Sequence, residues 1–182
     1  MALRIFHNEI EKAKDRVVFF DTNVLVNIFW PIYPEIYWAK INSKIFNQLL
    51  IQKNRLITDF ITLSELINLE FNLEYEKNKT LNNTLRKKDF RNSQQGQEIL
   101  SDIFSKIKDE IFIWFDIHSY SFSKTEIEDF ITNKKLDFND SAIVKICKDN
   151  DYILLTNDLD FKDTDIDILT ANQKLQIGRA HV

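Results

Sequence analysis

The chain has 182 residues, 44% of them hydrophobic and 13% aromatic, which suffices for the core of one domain and excludes the polar composition of a disordered chain. Its net charge of −4 excludes a protein that coats nucleic acid by overall charge, and its single cysteine excludes an internal disulfide or a cysteine-based metal cage. It has no run of about 18 apolar residues and no long apolar segment of a signal peptide at its start, so we expect a cytoplasmic protein with no membrane contact.

Strand and helix patterns alternate along the chain, without an internal repeat or an obvious linker. Continuous apolar runs predict buried strands at residues 16–21, 55–59, 112–117, 152–156 and 166–170. Helical spacing predicts helices at residues 3–15, 24–30, 34–54, 61–79, 96–111, 123–134 and 138–151, with a break between Pro31 and Pro34. Buried strands separated by helices indicate an α/β domain with a largely parallel sheet and helices on both faces. We assign residues 1–174 to this single domain and interpret residues 175–182 as a tail.

Two aspartates follow predicted buried strands. Asp21, in "VVFFDTNVLV", ends the first strand, and Asp158, in "YILLTND", follows a later one. Because parallel strands end at the same edge of a sheet, and sites in such sheets form outside those ends, we expect the two carboxylates to lie near each other.

Two further acids stand in the first turns of predicted helices, which begin at that same edge. They are Glu65 in "ITLSELI" and Asp140 in "LDFNDSAIVKI". None of these acids has a Lys or Arg in its immediate motif, and clustered carboxylates repel one another unless a cation joins them. The pattern therefore predicts a site for Mg²⁺ or Mn²⁺.

Each acid also has a purely structural interpretation. Asp21 suits an Asx-turn, Asp140 suits a helix start and Asp158 a turn, while Thr62 and Glu65 have the spacing of a capping box. Two neighbouring acids compete for the third and fourth positions, namely Asp137 with Asp140 and Asp160 with Asp158. The order of the four motifs favours the functional interpretation.

This order resembles that of the PIN-domain nucleases, a family that includes the VapC-type toxins of toxin–antitoxin pairs. A hydrophobic strand with "DTN", then "LSEL" in a helix, then Asp140 followed by Ser-Ala-Ile, and finally "ILLTND" with "LDF" are similar to the family's four acidic motifs. Together these motifs frame residues 17–161. Each motif is weak alone, and the ordered set is what is specific.

The resemblance implies a PIN-like three-layer α/β/α fold with a mostly parallel central sheet. It implies a metal-dependent endoribonuclease that hydrolyses RNA phosphodiester bonds, with Mg²⁺ or Mn²⁺ held by Asp21, Glu65, Asp140 and Asp158. Thr22 and Asn23 would orient the first acid, and Thr156 would lie near the last. RNA is the expected substrate, an antitoxin protein and a second copy of the chain are expected partners, and a structure-specific DNase or a noncatalytic scaffold that binds RNA or protein are the alternatives.

The segment at residues 77–95 is the most basic part of the chain. It has six Lys or Arg residues against one acid, Asp89. Such a run is usually a solvated helix surface. The functional interpretation is a phosphate-contacting arm with Phe90 available for base stacking, for which the predicted RNA-binding residues are Arg86, Lys87, Lys88 and Arg91.

Overall fold

The computed structural model describes residues 2–31 and 37–176. The strands are β1 (Arg4–Phe6), β2 (Val18–Phe20), β3 (Leu56–Asp59), β4 (Phe115–His118), β5 (Ile153–Leu155) and β6 (Ile168–Thr170). The α-helices are α1 (Thr22–Phe29), α2 (Tyr37–Ile51), α3 (Phe60–Leu81), α4 (Lys87–Asn92), α5 (Gln94–Lys106), α6 (Phe112–Trp114), α7 (Lys124–Thr132), α8 (Phe138–Asn150) and α9 (Gln173–Gln176). A π-helical turn (Ile107–Ile111) joins α5 to α6, and short 3-10 helices lie at His7–Ala13 and Leu159–Asp163.

All described strands belong to one six-stranded sheet with the order β1-β6-β5-β2-β3-β4. Every neighbouring pair is parallel. The chain moves outward from β2 through β3 to β4 and then returns to β5 on the other side of β2. The topological switch point therefore lies between β2 and β5, where sheets of this kind bind their ligands.

The two faces of the sheet carry separate cores, because successive side chains of a strand point to opposite faces. In β2, Val18 and Phe20 belong to the larger core, which they share with apolar residues of α1, α2, α3 and α5. Phe19 belongs to the smaller core, which includes Ile143 and Ile146 of α8. Helices thus cover both faces, and the predicted α/β class with a parallel central sheet is confirmed.

The prediction of a helix at residues 3–15 is wrong. Residues Arg4–Phe6 form a strand that pairs with β6, and a 3-10 helix follows it. Tertiary contacts override the local pattern here, since the backbone N–H of Leu3 donates to Asp167 and the Arg4 guanidinium donates to carbonyl groups of the chain before β6. The strand predicted at 112–117 also starts later, after the helical turn of α6.

The predicted break between Pro31 and Pro34 and the predicted helix start at residue 34 lie largely outside the described residues. The first two residues of the predicted tail belong to α9, where Leu175 is buried, and the others lie outside the described residues. Among the described helices, none is both long and apolar enough to span a membrane.

Candidate active site

Asp21 lies at the carboxyl end of β2 and begins α1. Its backbone N–H donates to the carbonyl of Leu155 in β5 at 3.1 Å, which fixes it at the switch point. One carboxylate oxygen accepts the backbone N–H of Thr22 at 2.6 Å, and the other accepts the hydroxyl of Thr156 at 2.6 Å and the side-chain amide of Asn23. The three residues predicted to support the site thus surround this carboxylate and hold it in one orientation.

Glu65 is linked to Asp21 through Thr22. The Thr22 hydroxyl donates to Oε2 of Glu65 at 2.9 Å, while the Thr22 backbone N–H donates to Asp21. The capping-box interpretation of Glu65 is wrong, because Asp59 at the end of β3 caps α3 by accepting the backbone N–H of Thr62 at 2.8 Å. Glu65 therefore has no capping role and points toward the first acid.

The start of α8 separates the roles of Asp137 and Asp140. Asp137 is the N-cap and accepts the backbone N–H of Asp140 at 2.7 Å, so its carboxylate is engaged by the helix. Asp140 lies in the first turn. The charges of Asp21 and Asp158 contribute to the raised pKa of its carboxylate, so the start of α8 lies close enough to these two acids for their charges to act on Asp140.

Asp158 follows β5 and begins the 3-10 helix at Leu159–Asp163. Its backbone N–H donates to the Thr156 hydroxyl at 3.0 Å, the same hydroxyl that donates to Asp21. Its carboxylate accepts the backbone N–H of Asp160 at 3.0 Å. Thr156 thus couples the acids at the ends of β2 and β5.

Burial and neighbouring negative charges raise the pKa of two of the acids, Asp21 and Asp140, as expected for carboxylates that share a site. Burial raises the pKa of Asp21 to about 6 despite the hydrogen bonds from Thr156 and Thr22, with the charges of Glu65 and Asp158 contributing. Burial also raises the pKa of Asp140 to about 7, and the charges of Asp137, Asp21, Asp158 and Asp160 add to this effect. The site is therefore an uncompensated negative region.

A hard divalent cation is the simplest group to compensate this charge. None of the four acids forms an ion pair with any residue of the described ranges, and the available donors are carboxylate oxygens. Within those same ranges, no group of three or more Asp, Glu, His or Cys side chains is placed so that together they could hold a metal ion. One or two carboxylates with water could hold Mg²⁺ or Mn²⁺, since Mg²⁺ keeps several of its waters.

Asn157 is a site residue that the sequence interpretation missed. Its backbone N–H donates to the side-chain oxygen of Asn23 at 3.3 Å, and its side chain bonds the side chain of Asn42 at 3.2 Å and the backbone N–H of Ala171 at 3.0 Å. It lines a cleft of about 420 Å³ that also contacts Asp158. Its position between Thr156 and Asp158 at a strand end was the available signal.

The cations of the basic segment differ in whether they form an ion pair. Arg86 is paired with Asp89 through hydrogen bonds of 2.6 and 3.1 Å. Lys87, Lys88 and Arg91 are exposed and form no ion pair within residues 2–31 and 37–176. The prediction that Phe90 stacks on bases is wrong, because Phe90 is only 2% exposed and packs against rings of α3.

No protein-family model matches this chain, and no curated protein matches it. Among solved structures, the chain is similar to that of VapBC2 from Rickettsia felis bound to a DNA fragment from their promoter. The sequence identity is 18% and the TM-score 0.49, over 85% of this chain and 98% of that chain. This degree of similarity is too low to assign a family or a function.

Proposed function

We propose that this protein is a metal-dependent endoribonuclease of the PIN type that hydrolyses RNA phosphodiester bonds. The observation that carries the proposal is the group of four acids at the switch point, Asp21, Glu65, Asp140 and Asp158. None of them pairs with a cation of the described residues. Burial, together with the charges of neighbouring acids, raises the pKa of Asp21 and Asp140. An uncompensated acidic site suits a divalent ion, and exposed cations elsewhere on the same chain suit a phosphate backbone.

The residues of the chain divide into two roles in this proposal. Asp140 and Asp158, with Asp21 and Glu65, are the residues that would hold Mg²⁺ or Mn²⁺. A bound ion of this kind lowers the pKa of a water molecule and stabilises the negative charge that develops on the phosphate and the leaving oxygen. Thr22, Asn23 and Thr156 hold the Asp21 carboxylate in place, and Thr22 also orients Glu65.

Cleavage of labelled RNA by the purified full chain tests the proposal. We expect Asp140→Asn and Asp158→Asn each to lower divalent-dependent cleavage by at least about 100-fold, because the amide removes the charge that holds the ion while keeping the side-chain volume. The matched controls are Asp137→Asn and Asp160→Asn, which should retain cleavage. Asn also caps helices well, so Asp137→Asn should still fold.

Opposite results have defined meanings. Loss of cleavage in both control variants, with activity retained in Asp140→Asn and Asp158→Asn, would move the third and fourth acids to Asp137 and Asp160. Faster cleavage of flap DNA than of RNA would make the protein a structure-specific DNase. Binding without any divalent-dependent cleavage would make it a scaffold.

The toxin hypothesis is a separate part of the proposal and rests on the resemblance of the motifs. Expression of the parent chain should arrest growth, and expression of Asp158→Asn should not. Rescue by a small protein encoded next to this chain would identify an antitoxin. Gel filtration of the purified chain tests the proposed homodimer.

A further inference from the structure

A second cleft is lined by residues of α3, α4, α5 and the turn up to α6, and it shares no lining residue with the cleft that contacts Asp158. This groove has a volume of about 460 Å³, within the size range of sites that bind small molecules. Its apolar lining consists of Phe60, Leu63, Ile67, Phe104, Ile107 and Phe112. Its polar lining consists of Ser64, Asn68 and Arg91. We call it the α3–α5 groove.

Three of its lining rings are exposed to solvent. Phe60 is 79% exposed, Phe104 49% and Phe112 51%. Rings this exposed add little to the core, and grouped apolar side chains at a surface mark places where a partner binds. Proteins that bind single-stranded nucleic acids place aromatic rings in such a groove, because bases stack on them regardless of sequence.

Arg91 gives the groove a positive charge. Its guanidinium lies over the ring of Phe71, 5.4 Å from the ring centre, and this packing restrains the side chain. Lys87 and Lys88 precede it on α4, one helical turn away. Because no carboxylate in the described part of the chain pairs with these three cations, they remain available for phosphate groups.

The groove and the acidic site share the first turns of α3. Phe60 directly follows Asp59 at the carboxyl end of β3, the edge of the sheet at which the acids lie. Ser64, in the groove, precedes Glu65, and Asn68 lies only about 4.5 Å further along the helix axis. A strand bound at the acids is therefore within reach of the groove.

We propose that the α3–α5 groove is a subsite for an unstacked base of single-stranded RNA, with Arg91 contacting a neighbouring phosphate. The proposal rests on the nuclease function and identifies its substrate as a strand with accessible bases. An amphipathic protein helix is the other occupant that an apolar groove accepts. The unpaired cations and the shared turns with Glu65 favour the nucleotide.

Binding without metal tests the subsite apart from catalysis. The full chain in EDTA is titrated, by fluorescence anisotropy, into fluorescein-labelled oligouridylate and into an abasic strand of equal length. Phe60→Ala and Phe112→Ala should each raise the Kd for oligouridylate about tenfold and leave the Kd for the abasic strand unchanged, since only the bases stack. Arg91→Ala should weaken the binding of both strands and reduce the slope of log K against log salt by about 1.

Two exposed residues outside the groove serve as matched controls. Ile113→Ala alters an apolar side chain next to Phe112 that is 64% exposed and does not line the groove. Arg55→Ala removes a cation that pairs with Asp116 at 2.6 Å and precedes β3, at the opposite edge of the sheet from the acids. Both should bind the two strands as the parent does, and melting temperatures verify folding of every variant.

The results separate this proposal from the nuclease function. Parent-like Kd values of Phe60→Ala and Phe112→Ala for both strands would overturn the subsite even if cleavage is normal. Unchanged RNA binding with loss of a coexpressed protein partner in these variants would assign the groove to a protein helix and also overturn it. Base-dependent binding that Phe60→Ala abolishes would uphold the subsite even if the parent chain cleaves no RNA.

Discussion

At the scale of single residues, the hydroxyl of Thr156 connects the acids at the ends of β2 and β5. Its buried hydroxyl donates to Asp21 and accepts the backbone N–H of Asp158 and the amide of Asn23. A buried hydroxyl with three partners cannot rotate freely, so it holds the end of β2 in a fixed position relative to β5. It is a positioning residue and has no contact with the substrate in the proposed mechanism.

Thr156→Val should lower cleavage at least about tenfold and destabilise the fold by about 1–3 kcal/mol, because it leaves buried donors without an acceptor. Thr156→Ser keeps the hydroxyl and should restore most of both properties. Cleavage kinetics and urea unfolding measure the two effects. A valine variant as active as the serine variant would show that the hydroxyl does not position the acids.

Asp21→Asn should abolish most of the stabilisation that Mg²⁺ or Mn²⁺ gives the parent chain. Saturating metal should add roughly 2–3 kcal/mol to the free energy of unfolding of the parent, because only the folded state assembles the acids. Thermal unfolding with metal and with EDTA measures this gain. Asp109→Asn changes an exposed acid and should keep the full metal response. A gain of equal size in Asp21→Asn would place the metal elsewhere.

Local patterns predicted the acids better than the other site residues. Asp21 and Asp158 follow continuous apolar runs, and such a run predicts both a buried strand and the position at which it ends. Asn157 was missed because its role depends on partners that are distant in sequence, Asn23 and Asn42. The interpretation of Phe90 failed for the same reason, since its burial depends on how α4 packs on α3.

At the scale of elements, the first turn of α8 combines two opposite electrostatic effects. The positive end of the helix dipole stabilises an acid at Asp140, whereas burial and neighbouring carboxylates destabilise it. The pKa of Asp140 is raised to about 7, so the second effect prevails. The folded chain consequently holds protons at Asp140 and Asp21 that the unfolded chain releases at lower pH.

Without metal, the free energy of unfolding should fall as the pH rises from about 4 to about 7, because raised carboxyl pKa values make the folded state the better proton binder. Asp140→Asn should reduce this fall and stabilise the metal-free protein at neutral pH by about 1–2 kcal/mol. Urea unfolding in EDTA across this pH range measures both. An equally steep fall in the variant would show that Asp140 does not titrate in this window.

The junction of α4 and α5 depends on a glycine. A Cβ atom at Gly96 would lie 1.9 Å from the carbonyl oxygen of Phe90, and neither backbone can yield without separating the helices. Gly96→Ala should destabilise the protein by about 2 kcal/mol or more, by overpacking this contact. Glu98→Ala, at an exposed position on α5, should change stability by less than about 0.5 kcal/mol. Equal melting temperatures of the two variants would contradict the close approach.

The strands of the sheet interior were predictable, whereas the edge strand β4 starts three residues later than predicted and the edge strand β1 was predicted as a helix. Strands β2, β3 and β5 are buried on both faces, and the consecutive apolar residues in their sequences predict this burial. At the edge, residues 3–15 have an amphipathic pattern that suits a helix, yet β1 forms because β6 and the Arg4 contacts are available to it. Whether an edge segment forms a strand depends on its pairing with a neighbouring strand. The local sequence of the segment does not show which strand that is.

At the scale of the whole molecule, the switch point and the acids coincide at the centre of the sheet. Strand β2 has partners on both sides and its residues are buried, whereas β1 and β4 each have one partner. Stability in such a sheet decreases from the centre outward, because an edge strand breaks hydrogen bonds with one neighbouring strand when it opens and a central strand with two. The most resistant part of the fold therefore supports Asp21.

Hydrogen exchange should show slowest exchange in peptides of β2 and β5 and faster exchange in peptides of β1 and β4. The reason is that opening β2 exposes residues of both cores, whereas opening β1 or β4 exposes residues of the larger core alone, Ile5 or Phe115. Mass spectrometry of exchanged peptides measures the order. Edge peptides as protected as those of β2 would indicate that a partner covers the edges in solution.

The distribution of the acids along the chain has a consequence for biosynthesis. Asp158 is synthesised 137 residues after Asp21, and β1 cannot pair until β6 has been synthesised as well. Since domains fold as their residues become available, a nascent chain that ends before Ile153 has neither the fourth acid nor the strand that completes the switch point. The site is thus incomplete in every nascent chain that ends before Asp158, so a ribosome is not exposed to the proposed activity while it synthesises the segment from Asp21 to Asp158.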